Sequence, residues 1–319
     1  MDASLITGNL TNPALLFFIL GLLAVAVKSD LEIPPNSSKF ISLYLLFSIG
    51  FKGGHELTHE DFTTEVVAVI AYGIASSLVI PVITFSLLRQ RLGVDNAVAV
   101  SAAYGSVSAV TFITAVSYLE INNIQPHGHM VAVMALMESP AIIAGLLLLS
   151  LYGQSNESRL RKREAVIHSF TNGSVWLILG SLLIGFLADD KQARGIEPFT
   201  TDIFKGFLAI FLLDMGILSG RKIKALISNG IQPIAFALLA PLVFGCASAW
   251  LTGLITTDTG DRFLLSILAA SASYIAVPAA MKMAVPNANP GLYLPMALAV
   301  TFPMNITLGM PLYLAIISM

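Results

Sequence analysis

Residues 55–59 read His-Glu-Leu-Thr-His. Many zinc peptidases use this spacing to hold a metal through two histidines and keep the glutamate between them as general base. Such chemistry needs both histidines on one helical face, a third ligand and access for water. Asp61 and Glu65 are the nearby acids that could supply the third ligand. The context points elsewhere: the motif follows Gly53-Gly54 at the end of an apolar run, where a helix is expected to stop, and His55 to Asp61 then reads as an acidic loop. A membrane zinc peptidase is the remote alternative.

A second set of polar residues lies inside apolar runs. Tyr104-Gly105-Ser106-Val107-Ser108, followed by Thr111, and Ser271-Ala272-Ser273-Tyr274 bring small and hydroxyl residues to mid-run, and Pro278 removes a backbone donor just past the second cluster. A helix broken at such a point presents N–H groups at its positive end, which attract an anion, and carbonyls at the other end, which attract a cation. Small residues in membrane helices also serve close packing, but their pairing at corresponding positions favours a site. Glu138 and Asp214 are acids within apolar runs and cost about 2.5 kcal/mol or more if they face lipid, so each is expected to face a cavity or a partner. Lys282 is expected to snorkel to an interface.

The elements that hold these residues follow from composition. At 56% hydrophobic and 11% charged over 319 residues, the chain is far from the roughly 25% charged of soluble domains, and its solvent is lipid. A net charge of -2 gives no argument for nucleic acid, and one cysteine, Cys246, excludes an intrachain disulfide. Crossing a bilayer takes about 20 helical residues, and ten spans are predicted at 13–27, 38–54, 65–88, 95–118, 128–152, 172–188, 199–219, 228–256, 260–284 and 290–317. Pro34-Pro35, Asn122-Asn123, Glu197-Pro198 and the segment Asn287 to Pro290 punctuate the joins. The first run has no basic segment before it and reads as a retained helix, not a signal peptide. With an external N-terminus, the lysines and arginines divide 12 inside to 5 outside, so both termini are expected outside. The run Arg159 to Arg163 is the strongest single marker. No transit-like start is seen, which suggests a bacterial inner membrane.

Internal similarity sets the architecture. "FILGLLAVAV" in span one is echoed by "LILGSLLIGF" in span six, "IGFKGG" by "MGILSG", "AAYGSVSAV" by "AASASYIAV" 167 residues on, and "VMALMESP" by "PMALAVTFP". Five spans per copy place the second copy upside down. The predicted fold is therefore an all-α integral membrane protein of two inverted five-helix repeats, 1–152 and 172–319, joined by a short cytoplasmic linker at 153–171. Helices four and nine are broken, the plan of secondary transporters. No phosphate loop or nucleophile elbow occurs, since "GSVSA" is not Gly-x-Ser-x-Gly. The reading is of a transporter, not an enzyme.

These residues make the chain resemble the sodium-dependent bicarbonate transporter family known from cyanobacteria. The resemblance spans nearly the whole sequence and is carried by "IGFKGG", "YGSVSAVTF", "SYLEINNI", "MESPA" and "AASASYIAVPAAMKMAVPNANPGLYL". It implies a gate part (spans one, two, six and seven), a core part (spans three to five and eight to ten), homotrimers in membrane lipid, and bicarbonate and sodium held between the broken helices. No other cofactor is implied. Gly105, Ser108 and Thr111 match the first broken helix, Ser271, Ser273 and Pro278 the second, and Glu138 replaces the usual aspartate. Substrate contacts are expected from Gly105, Ser106, Ser108, Thr111, Ser271, Ser273 and Tyr274, and cation contacts from Ser108, Ser271, Ser273 and Glu138. The chain departs from the family pattern at Ala109-Val110, where Gly-Ser is usual, at Tyr274, where an aspartate is usual, and at Ala276-Val277, where Ser-Gly is usual. These changes make the pocket more apolar and leave open another small anion or organic acid, with proton coupling through Glu138 in place of sodium. The short linker weighs against a docked regulator similar to signalling protein PII.

Overall fold

The computed structural model describes residues 13–153, 167, 171, 173–274, 277, 280, 281 and 284–319. Pro278, Lys282, Ala276 and the basic run 159–163 lie outside the described residues. The regular secondary structure of the described residues is all helical, with no strand among them. In chain order they form α1 (Pro13–Ala26), α2 (Pro35–Glu56), α3 (Thr64–Leu92), α4 (Val94–Gly105), α5 (Ala109–Ile121), α6 (His129–Tyr152), α7 (Gly173–Leu187), α8 (Asp190–Glu197), α9 (Phe204–Ile227), α10 (Ile231–Leu251), α11 (Thr259–Ala270) and α12 (Pro290–Ile317). Six helical segments among the described residues are long and apolar enough to cross a membrane: 64–92, 94–121, 129–152, 190–223, 231–254 and 290–317. Two shorter apolar helices, Leu15–Ala26 and Gly173–Leu187, accompany them.

Two segments differ from the reading of the sequence. The join expected between spans 172–188 and 199–219 holds the helix α8, because Asp189 and Gln192 form a reciprocal capping box: Asp189 Oδ1 accepts the Gln192 N–H at 2.8 Å and Gln192 Oε1 accepts the Asp189 N–H at 3.0 Å. The helix end expected at Gly53-Gly54 also fails to appear, since α2 continues through Glu56 and a 3-10 turn adds Leu57–His59. The glycines serve packing there. A β-carbon on Gly54 would overlap the Leu182 carbonyl, and one on Gly185 the Phe51 carbonyl, so α2 and α7 approach backbone to backbone.

Glycine plays the same part between α1 and α9. A β-carbon on Gly21 would meet the Leu213 carbonyl and one on Gly216 the Phe18 carbonyl. Thus α1 pairs with α9 and α2 with α7, while α3 packs on α4 and α6, and α10 on α11 and α12. Loop contacts sort to two ends of the bundle. At one end Glu60 meets His129 and Gly128, His127 meets Asp261, and His55 meets Asp190. At the other, Arg221 meets Glu32 and Asn289 meets Asn96.

Candidate functional site

The predicted breaks are present. Helix α4 stops at Gly105, Ser106 turns to extended backbone (φ -84°, ψ 175°), and α5 restarts after Ser108. Helix α11 stops at Ala270, Ser271 turns in the same way (φ -86°, ψ 169°), and residues 277, 280, 281 and 284 are helical again. α4 and α11 are each 12 residues long. The restart chemistry also matches: Ser108 Oγ accepts the Thr111 N–H at 3.2 Å, and Ser273 Oγ accepts the Val277 N–H at 3.4 Å. Ser106 corresponds to Ser271 and Ser108 to Ser273, both 165 positions on. Matched by this hydrogen bonding the two breaks lie 165 positions apart, against the 167 read from residue types.

The breaks also hold one another. The Ser108 N–H donates to Ser271 Oγ at 3.1 Å, and the Ser273 N–H donates to the Ala103 carbonyl at 2.8 Å. Ser271 Oγ in turn donates to the Leu268 carbonyl at 2.9 Å. Asn305, fully buried on α12, donates to the Ala270 carbonyl at 2.8 Å and so satisfies the end of α11. The Tyr313 hydroxyl lies 3.2 Å from both Asn305 Oδ1 and the Pro241 carbonyl, which share its one proton. On the opposite side Tyr104 OH lies 2.7 Å from Thr301 Oγ1, which donates to the Ala237 carbonyl. Asn305, Tyr313 and Thr301 escaped the reading of the sequence, since nothing in "PMALAVTFPMNITLGMPLY" says which helix end they face.

A cavity opens beside the breaks, with about 40 Å³ of room for water centres. Ser108, Ala109, Val110, Ser273, Tyr274 and Glu138 line it. This is room for two or three waters or one small ion. The Ala109 and Val110 N–H groups lie in the first turn of α5 and have no acceptor within the helix, so this wall offers main-chain donors although its side chains are apolar. Ser106 Oγ and Thr111 Oγ1 are buried without a hydrogen-bond partner, which costs about 1–3 kcal/mol each. Gly105 lies against Pro81 of α3, where a β-carbon would overlap the proline ring. Tyr274 lines both this cavity and a larger vestibule of about 500 Å³, and its hydroxyl points at Met215 Sδ, 3.6 Å away. Asp214, which accepts the Ser38 hydroxyl, also lines the vestibule together with Glu32, Lys39 and Arg221.

A family model described as the Na+-dependent bicarbonate transporter superfamily matches residues 13–318. The chain belongs to that superfamily. It is a multi-pass membrane protein of a bicarbonate-transporter family. None of the curated proteins matches it.

Two further polar clusters lie at the α2–α6 end. His55, His59 and Asp190 bring one donor atom each within 4.8 Å of the others, with His55 Nε2 3.4 Å and His59 Nε2 3.8 Å from Asp190 Oδ1. The acid is Asp190 of α8, neither Asp61 nor Glu65. The second cluster joins Glu60, His127, His129 and Asp261. Its hydrogen bond to Asp261 raises the His127 pKa to about 9, against the opposing effect of burial. Burial pushes the Glu60 carboxyl up, but hydrogen bonds from His129 and the Gly128 N–H bring it below its ordinary value. No reading of the sequence anticipated this cluster, although a His-x-His beside Pro126 and Gly128 was a signal available to it.

Proposed function

We propose that the chain is a secondary active transporter that takes up bicarbonate with sodium by alternating access. The observation that carries this reading is the pair of facing, mutually hydrogen-bonded helix breaks beside a small cavity. Bicarbonate accepts hydrogen bonds at several oxygens, and the free amides of Ala109 and Val110 supply donors where a helix dipole adds positive potential. The residues proposed around the anion are Gly105, Ser106, Ser108, Thr111, Ser271, Ser273 and Tyr274. For sodium they are Ser108, Ser271, Ser273 and Glu138, joined by the unpartnered hydroxyls of Ser106 and Thr111. A hard cation takes oxygen ligands of this kind, and its charge offsets that of the anion in a medium of low dielectric.

The inverted repeat is part of the proposal and has support in the helix pairing. Under a five-helix repeat, α1 with α9 and α2 with α7 are the same pair viewed from the two copies, as are the contacts of α3 and those of α10. We read spans one, two, six and seven as the gate and spans three to five and eight to ten as the core. Ten spans, a homotrimer, a bacterial inner membrane and termini on the outside complete the reading, the last from the 12 to 5 division of basic residues. In that orientation the vestibule beside Tyr274 faces the cytoplasm, so the conformation is inward-facing and Tyr274 stands between the cavity and the exit.

The test is uptake of labelled bicarbonate into liposomes at fixed pH, with an inward sodium gradient against a potassium control. Uptake that requires sodium supports the proposal, and equal uptake in both removes sodium coupling from it. The second reading is proton-coupled transport of a small anion. It is favoured by Glu138, the one carboxylate among the described residues lining the cavity, and predicts uptake that follows an inward proton gradient and is abolished by Glu138→Gln.

A further inference from the structure

We propose that His127, His129 and Asp261 form a binding site for a divalent transition-metal ion, with Glu60 holding His129 in the ligating orientation. The proposal is independent of what the chain transports. His127 comes from the connection into α6, His129 is the first residue of α6, Asp261 comes from the first turn of α11 and Glu60 from the turn before α3. Residues distant in sequence therefore converge at one point. Two imidazoles and one carboxylate form a donor set suited to zinc or ferrous iron.

The geometry separates this cluster from an ordinary ion pair. The carboxylate of Asp261 divides between the rings: Oδ1 lies 3.1 Å from His127 Nδ1, and Oδ2 lies 3.1 Å from His129 Nε2. His129 Nε2 is buried, its side chain 4% exposed, and it meets Asp261 Oδ2 outside the in-line geometry of a full hydrogen bond. A hydrogen bond needs the acceptor in line with the N–H, whereas a metal ion needs only lone pairs that converge on it. One donor atom from each of the three residues lies within 4.8 Å of the other two, and a tetrahedral zinc site asks for about 3.3 Å between donors, given metal–ligand bonds of about 2.0–2.2 Å. A small closure completes the set.

The surroundings supply what such sites use. Glu60 Oε2 accepts the opposite ring nitrogen of His129, Nδ1, at 2.8 Å, which leaves Nε2 as the ligating atom. Glu60 Oε1 is itself fixed by the Gly128 N–H at 2.6 Å. Asp258 Oδ1 lies 3.6 Å from His127 Nδ1, close enough to give a fourth ligand, and water gives another route, since His127 is 43% exposed. A divalent cation would take the place of the protons that the imidazoles hold beside these acids, and would offset the three carboxylates of Glu60, Asp258 and Asp261. The neighbouring cluster of His55, His59 and Asp190 lacks this support, because His55 Nδ1 is buried with no partner to orient the ring and both other ligands are mostly exposed. The site stands at the end of α11 opposite Ser271. A metal there would tie the half-helix that carries the second break to α6, which carries Glu138.

The experiment uses the full chain in detergent, stripped with a chelator and reloaded with zinc, with bound metal measured after desalting. One zinc ion per chain is expected in the wild type and in the His55→Ala/His59→Ala variant. His127→Ala, chosen because His127 is partly exposed and its loss spares the core, is expected to bind zinc at least 100-fold more weakly while keeping its helicity and a single gel-filtration peak. Glu60→Gln is expected to weaken binding by about 10- to 100-fold. The proposal is overturned if the wild type holds no stoichiometric zinc, if His127→Ala binds as tightly as the wild type, or if zinc is lost only in His55→Ala/His59→Ala.

Discussion

The backbone N–H of Ser108 donates to the hydroxyl of Ser271 at 3.1 Å, joining the start of α5 to the end of α11 across 163 residues of chain. Each broken helix is thereby positioned by the other, and the cavity wall depends on a contact that neither half makes alone. Removing the hydroxyl in Ser271→Ala leaves a buried N–H without its acceptor, at about 1–3 kcal/mol. Sodium-driven bicarbonate uptake is expected to fall roughly tenfold if about 1.4 kcal/mol of that is felt in the transport step, with the protein still inserted. Unchanged uptake in liposomes would remove this contact from the mechanism.

Tyr274 lines both the cavity and the vestibule, as do Ser42, Ser174 and Phe211, and its hydroxyl is directed at Met215 sulfur 3.6 Å away and also meets the Ser108 side chain. Its ring is the largest side chain shared by the two spaces. Tyr274→Phe is expected to keep uptake close to that of the wild type, whereas Tyr274→Ala merges the two spaces and allows bicarbonate to leak without sodium. Efflux from preloaded liposomes measures the difference.

Gly54 and Gly216 sit where a β-carbon would overlap the carbonyl of a neighbouring helix, while Gly180 and Gly206 face open space. Gly54→Ala and Gly216→Ala are each expected to destabilise the protein by roughly 1–3 kcal/mol through overpacking. Gly180→Ala and Gly206→Ala should be neutral or slightly stabilising, since alanine is the better helix former. Thermal unfolding in detergent ranks the four.

Asn305 is fully buried, donates to the last carbonyl of α11 and accepts from Tyr313. Asn305→Leu is close in volume but satisfies neither group. A loss of about 1–3 kcal/mol of stability is expected, with uptake reduced because the end of α11 is no longer fixed. Asn305→Asp, which can still accept from Tyr313 but cannot donate when ionised, should fall as far or further. A Tyr313→Phe variant that matches Asn305→Leu in stability would instead place the cost on the tyrosine.

Much of this protein is written in one dimension. The apolar runs, the hydroxyl clusters at 104–108 and 271–274 and the glycines of "IGFKGG" and "MGILSG" are local patterns. Each has a local cause: lipid requires every backbone group to be satisfied within helices, and Ser108, Ser271 and Ser273 satisfy groups that a break exposes. Membership of a bicarbonate-transporter superfamily is legible in the same residues. What tertiary structure alone decided is which groups meet. Ser108 and Ser273 read as ligands but also cap the helices that restart beside them, and the apolar pair Ala109-Val110 reads as a lost site yet lines the cavity with amides that side-chain identity does not touch. His55 and His59 find Asp190 through a capped helix instead of the acids beside them in sequence, and Glu60, His127, His129 and Asp261 converge from the turn before α3 and the starts of α6 and α11. Sequence spacing fixes what neighbours along one helix can share, whereas contacts between chain ends of different helices depend on how the whole bundle packs.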